Sequence, residues 1–359
     1  MKQISVNAER EYKVNIGIDV AHEIKEISQK HGKVVIFSPL VLTAHMNAIA
    51  RNIPNALLFT TLEGEEAKTL SAIDQAWKFL GKHGIGRGDA VIAVGGGSTT
   101  DSAGFVASTW LRGIEWYAFP TTLAGAVDAS IGGKTGINSR HGKNLIGSFY
   151  SPSGVFIDIN FLNTLKKRDL RAGMAEVIKT GFIRDPHIIE LLNNNPEITT
   201  EDLDILSELI TRSVAVKAEV VSQDFREGKL REILNYGHTL GHAIEKAERY
   251  QMRHGEAVSL GLIFAGELSV RFASLPQESS DLHRSLLEKY HLPTQYSPNR
   301  FDELFELMIG DKKSRDGQVR FIGLSAIGET CWLEKLSRED LEQVYGQCFG
   351  GMKPEMRSQ

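Results

Sequence analysis

Residues 90–101 read Ala-Val-Ile-Ala-Val-Gly-Gly-Gly-Ser-Thr-Thr-Asp, and this stretch decides the fold. Its first five residues are apolar and rich in β-branched side chains, which is typical of a buried strand. Three glycines then make a turn, and a helix-like segment follows. A strand, a glycine turn and a helix start form an anion site, because free backbone N–H groups at the helix start face the ligand. The match to the dinucleotide fingerprint is partial, since Thr100 stands where its third glycine would be, and three glycines also fit a plain tight turn.

Strand and helix patterns alternate around this turn. Residues 11–18 alternate as a half-buried strand does, and residues 34–37 form a short apolar, β-branched run. Between residues 65 and 80 the apolar side chains have helical spacing. Strands separated by helices predict a parallel sheet with crossover connections.

The chain after about residue 160 is predicted to be mainly helical. Asp185-Pro186 is typical of an N-cap followed by proline at the first helical position. Residues 201–222 and 231–249 have the period of long helices, and residues 319–324 resemble one short strand. We therefore predict an α/β fold with two domains, a Rossmann-like parallel-sheet domain at 1–158 and a mostly α-helical domain at 159–359.

The composition of the chain argues against several classes of protein and of binding partner. The chain has 359 residues, of which 42% are hydrophobic, enough for two domains with buried cores. Its net charge of −4 is not the footprint of a nucleic-acid binder. Its two cysteines form neither a metal-type spacing nor a disulfide framework. Residues 1–17 lack the apolar core of a signal peptide, and the longest apolar stretch is too short to span a bilayer. We therefore expect a cytoplasmic protein with neither nucleic-acid nor membrane partners.

A polar stripe marks residues 231–245. On a helix its members would fall within an arc of roughly 80°, and they are Arg231, Asn235, His238, His242 and Glu245. Solvent-facing stripes are usually rich in lysine and glutamate, so this one predicts a helix face that lines a polar cavity. His238 and His242 are four residues apart and fit one metal ion. Two histidines also fit an ordinary solvent-facing stripe.

Two further residues extend the metal hypothesis. His254 begins the next apolar helical run, and Glu176 shares a helix face with Lys179, three residues on. One glutamate and two histidines are a common zinc set that leaves positions open for a substrate. The spacing alone does not choose which two of the three histidines would bind the ion.

Basic residues recur beside glycines. Lys134 follows a glycine pair, Lys143 follows Gly142, and Arg112 precedes Gly113. Single lysines on loops are usually solvated, but the repeated pairing with glycine indicates contacts to phosphate or carboxylate groups.

Six motifs together resemble those of the 3-dehydroquinate synthases, which are sugar-phosphate cyclases. They are FPTTL at 119–123, VDASIGGKTG at 127–136, GKNLIG at 142–147, AEVIK at 175–179, LNYGHTLGH at 234–242 and RHGEA at 253–257. The similarity runs in order from about residue 63 to residue 325. A dehydroquinate synthase-like fold is therefore expected, with the cofactor bound by the N-terminal domain.

The resemblance implies two cofactors, NAD and a divalent metal, with zinc expected and cobalt able to substitute. The metal ligands fall on Glu176, His238 and His254, which leaves His242 beside the substrate. The positions that match the NAD site are Glu63, Gly64, Glu65, Glu66, Ala67, Lys68, Gly95, Gly96, Gly97, Ser98, Thr99, Thr100, Asp101, Thr121, Thr122, Lys134, Lys143, Phe161, Leu162, Asn163 and Thr164.

Further matched positions imply contacts to the substrate, a phosphorylated sugar acid. They are Asp128, Lys134, Lys179, Lys217, Arg231, Asn235 and His242, with Arg112 and either Lys312 or Lys313 on phosphate or carboxylate groups. The resemblance also implies a homodimer, and the arginine is expected to reach across it.

Two stretches depart from the family pattern. Phe37-Ser38-Pro39 follows the second strand, where many relatives carry an acid that binds the adenine ribose. Ser98-Thr99-Thr100 follows the glycines, where relatives often have Val-Ile-Gly. The first departure implies either weaker ribose binding at this position or ribose binding by backbone groups, and the second changes the hydrogen bonding of the turn.

The activity implied is the conversion of 3-deoxy-D-arabino-heptulosonate 7-phosphate to 3-dehydroquinate and phosphate, a step of the shikimate pathway. It combines transient oxidation by NAD, phosphate elimination, re-reduction and an intramolecular aldol closure. Aminodehydroquinate synthase is the nearest alternative, ahead of the inosose and valiolone cyclases, whose substrates lack a carboxylate. An iron-type polyol dehydrogenase and a non-catalytic binding protein are more distant alternatives.

Overall fold

The computed structural model describes residues 1–312 and 319–350, the side chains of residues 311 and 312 excepted. Contacts group the chain into two compact units. The first unit contains residues 1–166 and 200–226, and the second contains residues 167–199 and 227–359. The sequence-based boundary at residue 158 lies eight residues before the end of the first long segment.

The strands of the described part, in chain order, are β1 (Lys2–Asn7), β2 (Glu11–Ile16), β3 (Val34–Pro39), β4 (Ala56–Thr61), β5 (Ala90–Gly95), β6 (Glu115–Pro120), β7 (Lys134–Ser139), β8 (Gly142–Phe149), β9 (Gly154–Ile157), β10 (Phe321–Ala326) and β11 (Glu329–Leu333). Its α-helices are α1 (Val20–Ser28), α2 (Thr43–Ala50), α3 (Leu70–Lys82), α4 (Gly97–Thr109), α5 (Lys167–Ile183), α6 (Pro186–Asn194), α7 (Leu203–Gln223), α8 (His238–Ala247), α9 (His254–Ala273), α10 (Gln277–Lys289), α11 (Phe301–Lys312) and α12 (Arg338–Phe349).

A seven-stranded sheet forms the centre of the first unit, in the order β1-β2-β9-β6-β5-β3-β4. Strand β1 pairs with β2 antiparallel, and every other neighbouring pair is parallel. All six residues of β5 are buried, as expected for a central strand covered by helices on both faces. The core includes Ile24, Val34, Ile36, Ile92 and Phe119. The Rossmann-like parallel sheet predicted from the alternating pattern is confirmed.

Helix α7 belongs to the first unit, although residues 159–359 were predicted to form one domain. It packs along β1, where Lys2 Nζ donates to Glu208 Oε2 at 2.7 Å. The Asn7 backbone N–H donates to Ser222 Oγ at 2.9 Å. The period of an amphipathic helix shows which face is buried but not which element covers it.

The second unit is mainly helical, and glycines let its central helices approach closely. A β-carbon at Gly261 on α9 would lie 1.8 Å from the carbonyl oxygen of Gly237, just before α8. A β-carbon at Gly241 on α8 would lie 3.3 Å from the carbonyl oxygen of Ala257 on α9. The two helices therefore pack with their backbones nearly in contact.

The single helix predicted over residues 231–249 is wrong in one respect. Residues Leu230–Asn235 form a 3₁₀ turn, and α8 begins only at His238. Gly237 breaks the run because its φ is 78°, in the left-handed region, and a β-carbon there would meet Leu262. Arg231 and Asn235 therefore do not share one helical stripe with His238.

None of the helices in the described part has both the length and the apolar character that crossing a membrane requires.

Candidate metal centre and cofactor loops

Three helices of the second unit each supply one member of a compact cluster. Glu176 comes from the middle of α5, His238 is the first residue of α8, and His254 is the first residue of α9. Glu176 Oε1 lies 3.4 Å from His238 Nε2 and 3.2 Å from His254 Nε2. Their ligand atoms all lie within 4.8 Å of one another, a separation that one ion can bridge.

The outer nitrogen of each of these histidines has an acceptor. His238 Nδ1 lies 3.1 Å from the carbonyl oxygen of Tyr236, and His254 Nδ1 lies 3.0 Å from Glu245 Oε2. A carbonyl or carboxylate oxygen only accepts, so each Nδ1 carries hydrogen and donates it. In the neutral ring this leaves the Nε2 lone pair directed at Glu176.

The convergence of acceptors indicates a cation. Both carboxylate oxygens of Glu176 are buried, with Oε1 facing the two histidines and Oε2 in an ion pair with Lys179 Nζ at 2.6 Å. Burial would raise the pKa of Glu176, but Lys179 and His238 hold that pKa well below its usual value. Two imidazoles and an ionised carboxylate are a common zinc set, so the cluster fits a divalent metal.

A proton can take the place of the metal ion in the metal-free protein. Burial alone would lower the pKa of His254, but its hydrogen bonds with Glu176 and Glu245 raise that pKa to about 10. Metal uptake then requires that this proton leaves, because only the neutral ring coordinates through Nε2.

Two crossed ion pairs hold the first turn of α5 to the start of α9. Arg168 donates to both carboxylate oxygens of Glu256, at 2.6 and 2.8 Å. Arg253 Nε lies 2.9 Å from Asp169 Oδ1. Glu256 also accepts from the Arg253 backbone N–H at 3.1 Å and so caps α9. These contacts fix the end of α9 that carries His254.

His242 lies beside the cluster rather than within it. Its ring centroid is 5.3 Å from that of His238 and 6.0 Å from that of His254, and the residue is exposed. A second possible ligand group combines His242 with Glu245 and His254. The expected role of His242 beside a substrate stays a prediction.

The other expected substrate residues of this unit differ in their surroundings. Lys179 and Arg231 are both 2% exposed. Asn235 Nδ2 donates to Glu227 Oε1 at 3.1 Å. The side chain of Lys312 is not described, and Lys313 lies outside the described residues.

In the first unit, the glycine turn joins β5 to α4 as predicted. Gly96 is the N-cap of α4, which starts at Gly97. A β-carbon at Gly95 would lie 2.5 Å from Thr99 Oγ1, and one at Gly97 would lie 2.9 Å from the Ala129 β-carbon. Thr99 and Thr100 are buried, and Thr100 Oγ1 donates to the Gly97 carbonyl at 2.9 Å. The two threonines thus stabilise the turn from inside, whereas Gly96, Gly97 and Ser98 remain partly accessible.

A 3₁₀ turn, helix α4 and strand β8 of this unit bring expected cofactor residues together. The buried Lys68 donates from Nζ to Asp101 Oδ2 at 2.5 Å and also to Asn144 Oδ1. Burial raises the pKa of Asp101 above its usual value, although Lys68 opposes the shift. Beside them, Lys143 Nζ lies 3.4 Å from Glu65 Oε1. Asn144 has a φ of 57°, a left-handed conformation that asparagine tolerates.

The remaining expected cofactor positions lie at strand ends and turns of the same unit. The Thr121 backbone N–H donates to the Gly95 carbonyl at 2.9 Å, which joins β6 to the glycine turn. Thr122 Oγ1 accepts from the Gly125 backbone N–H at 3.0 Å. Phe161 and Leu162 are buried within the 3₁₀ turn Ile159–Thr164.

Helix α7 brings Lys217 to Asp128. Lys217 Nζ donates to the backbone oxygen and to Oδ1 of Asp128, both at 2.5 Å. Asp128 lies in a π-helical turn, Gly125–Ala129, of a kind often found at functional sites. Lys134 follows Gly132 and Gly133, which have φ values of 98° and 62°.

Arg112 lies far from the glycine turn. It follows the far end of α4, whose thirteen residues separate it from the glycine turn by about 20 Å at the helical rise of 1.5 Å per residue. Leu111 and Arg112 have φ values of 51° and 69°, so the turn that presents the arginine is strained.

Sequence reasoning missed the partners that orient these side chains. Glu245 was visible on the polar stripe, but its contact with His254 depends on how α9 returns along α8. Tyr12 was part of a predicted strand, and its hydroxyl accepts from the Gly132 backbone N–H at 3.0 Å. No spacing within the sequence signals either contact.

Comparison with known proteins gives one consistent family. Residues 58–172 match the model "3-dehydroquinate synthase N-terminal", and residues 173–314 match "3-dehydroquinate synthase C-terminal". The 3-dehydroquinate synthase of Corynebacterium pseudotuberculosis is 43% identical over 96% of this chain and 98% of its own length. That of Rhodococcus opacus is 46% identical over 92% of this chain and 91% of its own length.

This chain is also similar to a solved structure. That structure is 2-deoxy-scyllo-inosose synthase complexed with carbaglucose-6-phosphate, NAD+ and Co2+. It is 27% identical to this chain, with a TM-score of 0.83 over 97% of this chain and all of its own length. With both family models and relatives above 40% identity covering nearly its whole length, this chain belongs to the 3-dehydroquinate synthase family.

Proposed function

We propose that the chain is a 3-dehydroquinate synthase, which converts 3-deoxy-D-arabino-heptulosonate 7-phosphate into 3-dehydroquinate and phosphate. One observation carries the proposal: Glu176, His238 and His254 converge in a chain that is 43–46% identical to curated relatives of that name. The reaction is a phosphate-eliminating carbon–oxygen lyase reaction of the shikimate pathway.

The enzyme depends on NAD and one divalent metal, zinc or cobalt in its place. Glu176, His238 and His254 would hold the metal, and the loops around Gly97 and Lys68 would hold NAD. When bound, the metal would polarise substrate hydroxyls as a Lewis acid, and NAD would take a hydride from the substrate and return it.

Buried cations in the second unit are suited to an anionic substrate. Lys179 and Arg231 are both almost fully buried, where a positive charge acts on a nearby anion with little screening. We assign them to the carboxylate, the phosphate and the enolate charge that develops during elimination. His242 and Asn235 would orient the substrate hydroxyls or carboxylate, as the family resemblance implies.

In the first unit, Lys217 and Lys134 have different roles. Lys217 is anchored twice by Asp128, so its ammonium group has a defined position. Lys134 is exposed and follows two glycines in left-handed conformations, and we assign it to a phosphate oxygen of the substrate.

The net reaction is redox-neutral. A C–O bond to phosphate breaks, a C–C bond closes the ring, and the electrons removed in the first step return to the same molecule. NADH therefore does not accumulate, which separates this activity from that of a polyol dehydrogenase.

Aminodehydroquinate synthase is the second candidate, because an amino analogue of the substrate keeps the carboxylate and the phosphate. The inosose cyclase structure is less similar, at 27% identity against 43–46% for the dehydroquinate synthases. Arg112, Asn235 and His242 also fit a substrate with a carboxylate, which the inosose-type substrate lacks.

We further propose that the enzyme is a cytoplasmic homodimer. We assign Arg112 to the active site of a second copy, as the family resemblance implies, and its position one helix length from the glycine turn supports this assignment. Cys331 and Cys348 are both free thiols, in agreement with a reducing compartment.

The deciding experiment measures phosphate release by the purified, zinc-loaded protein with a catalytic amount of NAD. We expect stoichiometric phosphate and dehydroquinate with no accumulation of NADH absorbance. Net NADH formation would indicate a dehydrogenase. No phosphate release from a sample that holds zinc and NAD, but release from the amino analogue, would indicate the second candidate.

A further inference from the structure

We propose that Glu245 positions His254 as a metal ligand and strengthens it as a donor. This inference rests on the proposed function in one respect, because it takes Glu176, His238 and His254 as the metal-binding residues. Glu245 contacts neither substrate nor cofactor in this role, and it acts only through the imidazole of His254.

Glu245 and Glu176 face different nitrogens of the His254 ring. Glu245 Oε2 lies 3.0 Å from His254 Nδ1, while Nε2 of the same ring faces Glu176 at 3.2 Å. The imidazole thus bridges two carboxylates through its two nitrogens. A carboxylate cannot donate, so Glu245 keeps the hydrogen on Nδ1 and leaves Nε2 for the metal.

Glu245 is buried within the second unit. Glu245 is 5% exposed, and a carboxylate that deep in the protein is costly unless it is paired. It lies seven residues after His238 on α8, which places both on one helix face. Helix α8 therefore supplies one metal ligand, His238, at its first residue. Two turns later it supplies Glu245, the hydrogen-bond partner of the second histidine ligand, His254.

A strained turn connects α8 to α9. Arg249 and Tyr250 both have left-handed backbones, with φ values of 50° and 61°. Bulky residues adopt this conformation only where the surrounding structure requires it. The Tyr250 backbone N–H donates to the Glu245 carbonyl at 2.7 Å, so the strained turn is tied to Glu245 itself. The same turn returns the chain to His254.

The two histidines differ in the charge of their outer partner. His238 donates to the neutral carbonyl of Tyr236, whereas His254 donates to a carboxylate. A hydrogen bond to an ionised acceptor is the stronger of the two and makes the imidazole more basic. His254 is therefore the histidine whose bond to the metal depends most on its outer partner.

The test measures zinc affinity by competition with a chelator, and the visible absorption of the cobalt-loaded protein. Glu245→Ala should weaken zinc binding by about 10- to 100-fold, the range found for outer partners of metal-binding histidines. Glu245→Gln keeps an acceptor of the same size without the charge, so it should weaken binding less. Both variants should alter the cobalt spectrum, which a general loss of stability would not do in the loaded protein.

Glu342→Gln is the matched control, because this residue is exposed on α12 of the same unit. It should leave both measurements unchanged. Zinc affinities and cobalt spectra of the two Glu245 variants that equal those of the unmodified protein would overturn the inference.

The outcomes also separate the inference from the proposed function. An unmodified protein that binds no zinc would overturn both the inference on Glu245 and the proposed function. An unmodified protein that binds zinc, loses affinity in the Glu245 variants and releases no phosphate would overturn the function alone.

Discussion

Gly255 and Ala172 touch so closely that a β-carbon at position 255 would lie 1.8 Å from the Ala172 carbonyl oxygen. Gly255 follows His254 at the start of α9, and Ala172 lies on α5 one turn before Glu176. The separation of the two helices at this point sets the distance between Glu176 and His254. This backbone contact and the two ion pairs between α5 and α9 therefore hold two proposed metal ligands, Glu176 and His254, at 3.2 Å.

Gly255→Ala should separate α5 from α9 and open the cluster. The clash is with backbone atoms that cannot rotate away, so we expect a loss of about 3 kcal/mol in the free energy of unfolding and loss of bound metal. Urea unfolding and metal analysis of the purified variant check this. Gly346→Ala on α12 is the control, since a β-carbon there meets nothing within 4 Å, and it should stabilise the protein by about 0.5–1 kcal/mol.

Removing one member of the cluster should remove metal and activity together. Glu176→Gln leaves a neutral amide where an ionised ligand is needed, and His254→Ala removes a ligand nitrogen. We expect zinc affinity to fall by more than the about 100-fold that outer-shell changes cause. His187→Ala, an exposed histidine of α6, is the control. Full metal occupancy in both cluster variants would disprove the ligand assignment.

His283 should make the protein less stable in mild acid. It is fully buried, donates from Nδ1 to the Ser279 carbonyl at 2.7 Å and accepts from the Tyr236 hydroxyl at 2.8 Å. Burial lowers its pKa from 6.5 to about 4. The unfolded chain therefore takes up the proton first, and the free energy of unfolding falls as the pH drops from about 6.5 to about 4, by roughly 3 kcal/mol at most.

His283→Gln checks this pH dependence. Glutamine does not titrate, so the variant should lose less stability than the unmodified protein when urea unfolding is compared at pH 7 and pH 5. Above pH 7 the two slopes should agree. Equal slopes over the acidic range would show that His283 is not the group responsible.

The proposed dimer predicts complementation between two inactive variants. Arg112→Ala would leave the metal cluster intact, and His254→Ala would leave the arginine intact. If the arginine serves the partner subunit, mixed dimers contain one complete site. Equal mixing after dissociation should then restore about a quarter of the normal activity, since half of the dimers are mixed and each has one working site of two. No recovery, with mixed dimers demonstrated, would place the arginine in its own subunit's site or outside any site.

Local sequence patterns predicted much of the secondary structure of this protein and its family. Five apolar residues before three glycines predicted β5 and its turn into α4, because burial on both faces and the need for a close backbone approach both act locally. Alternation of strands and helices predicted the parallel sheet, and six motifs at compatible spacing indicated the family. The helix period of residues 201–222 predicted α7 to within two residues.

Only the tertiary structure decided which residues meet. The spacing of the histidines did not show which two of His238, His242 and His254 would share a metal ion. The cluster contains His254 from the next helix, because Gly241, Gly255 and Gly261 allow backbones to approach where side chains would keep them apart. The period of α7 could not show that it covers β1, and that packing carries Lys217 to Asp128. The contact of Glu245 with His254 likewise depends on a strained turn. The sequence alone determined local conformation and family, whereas long-range packing selected the partners, since a helix face specifies burial but not what buries it.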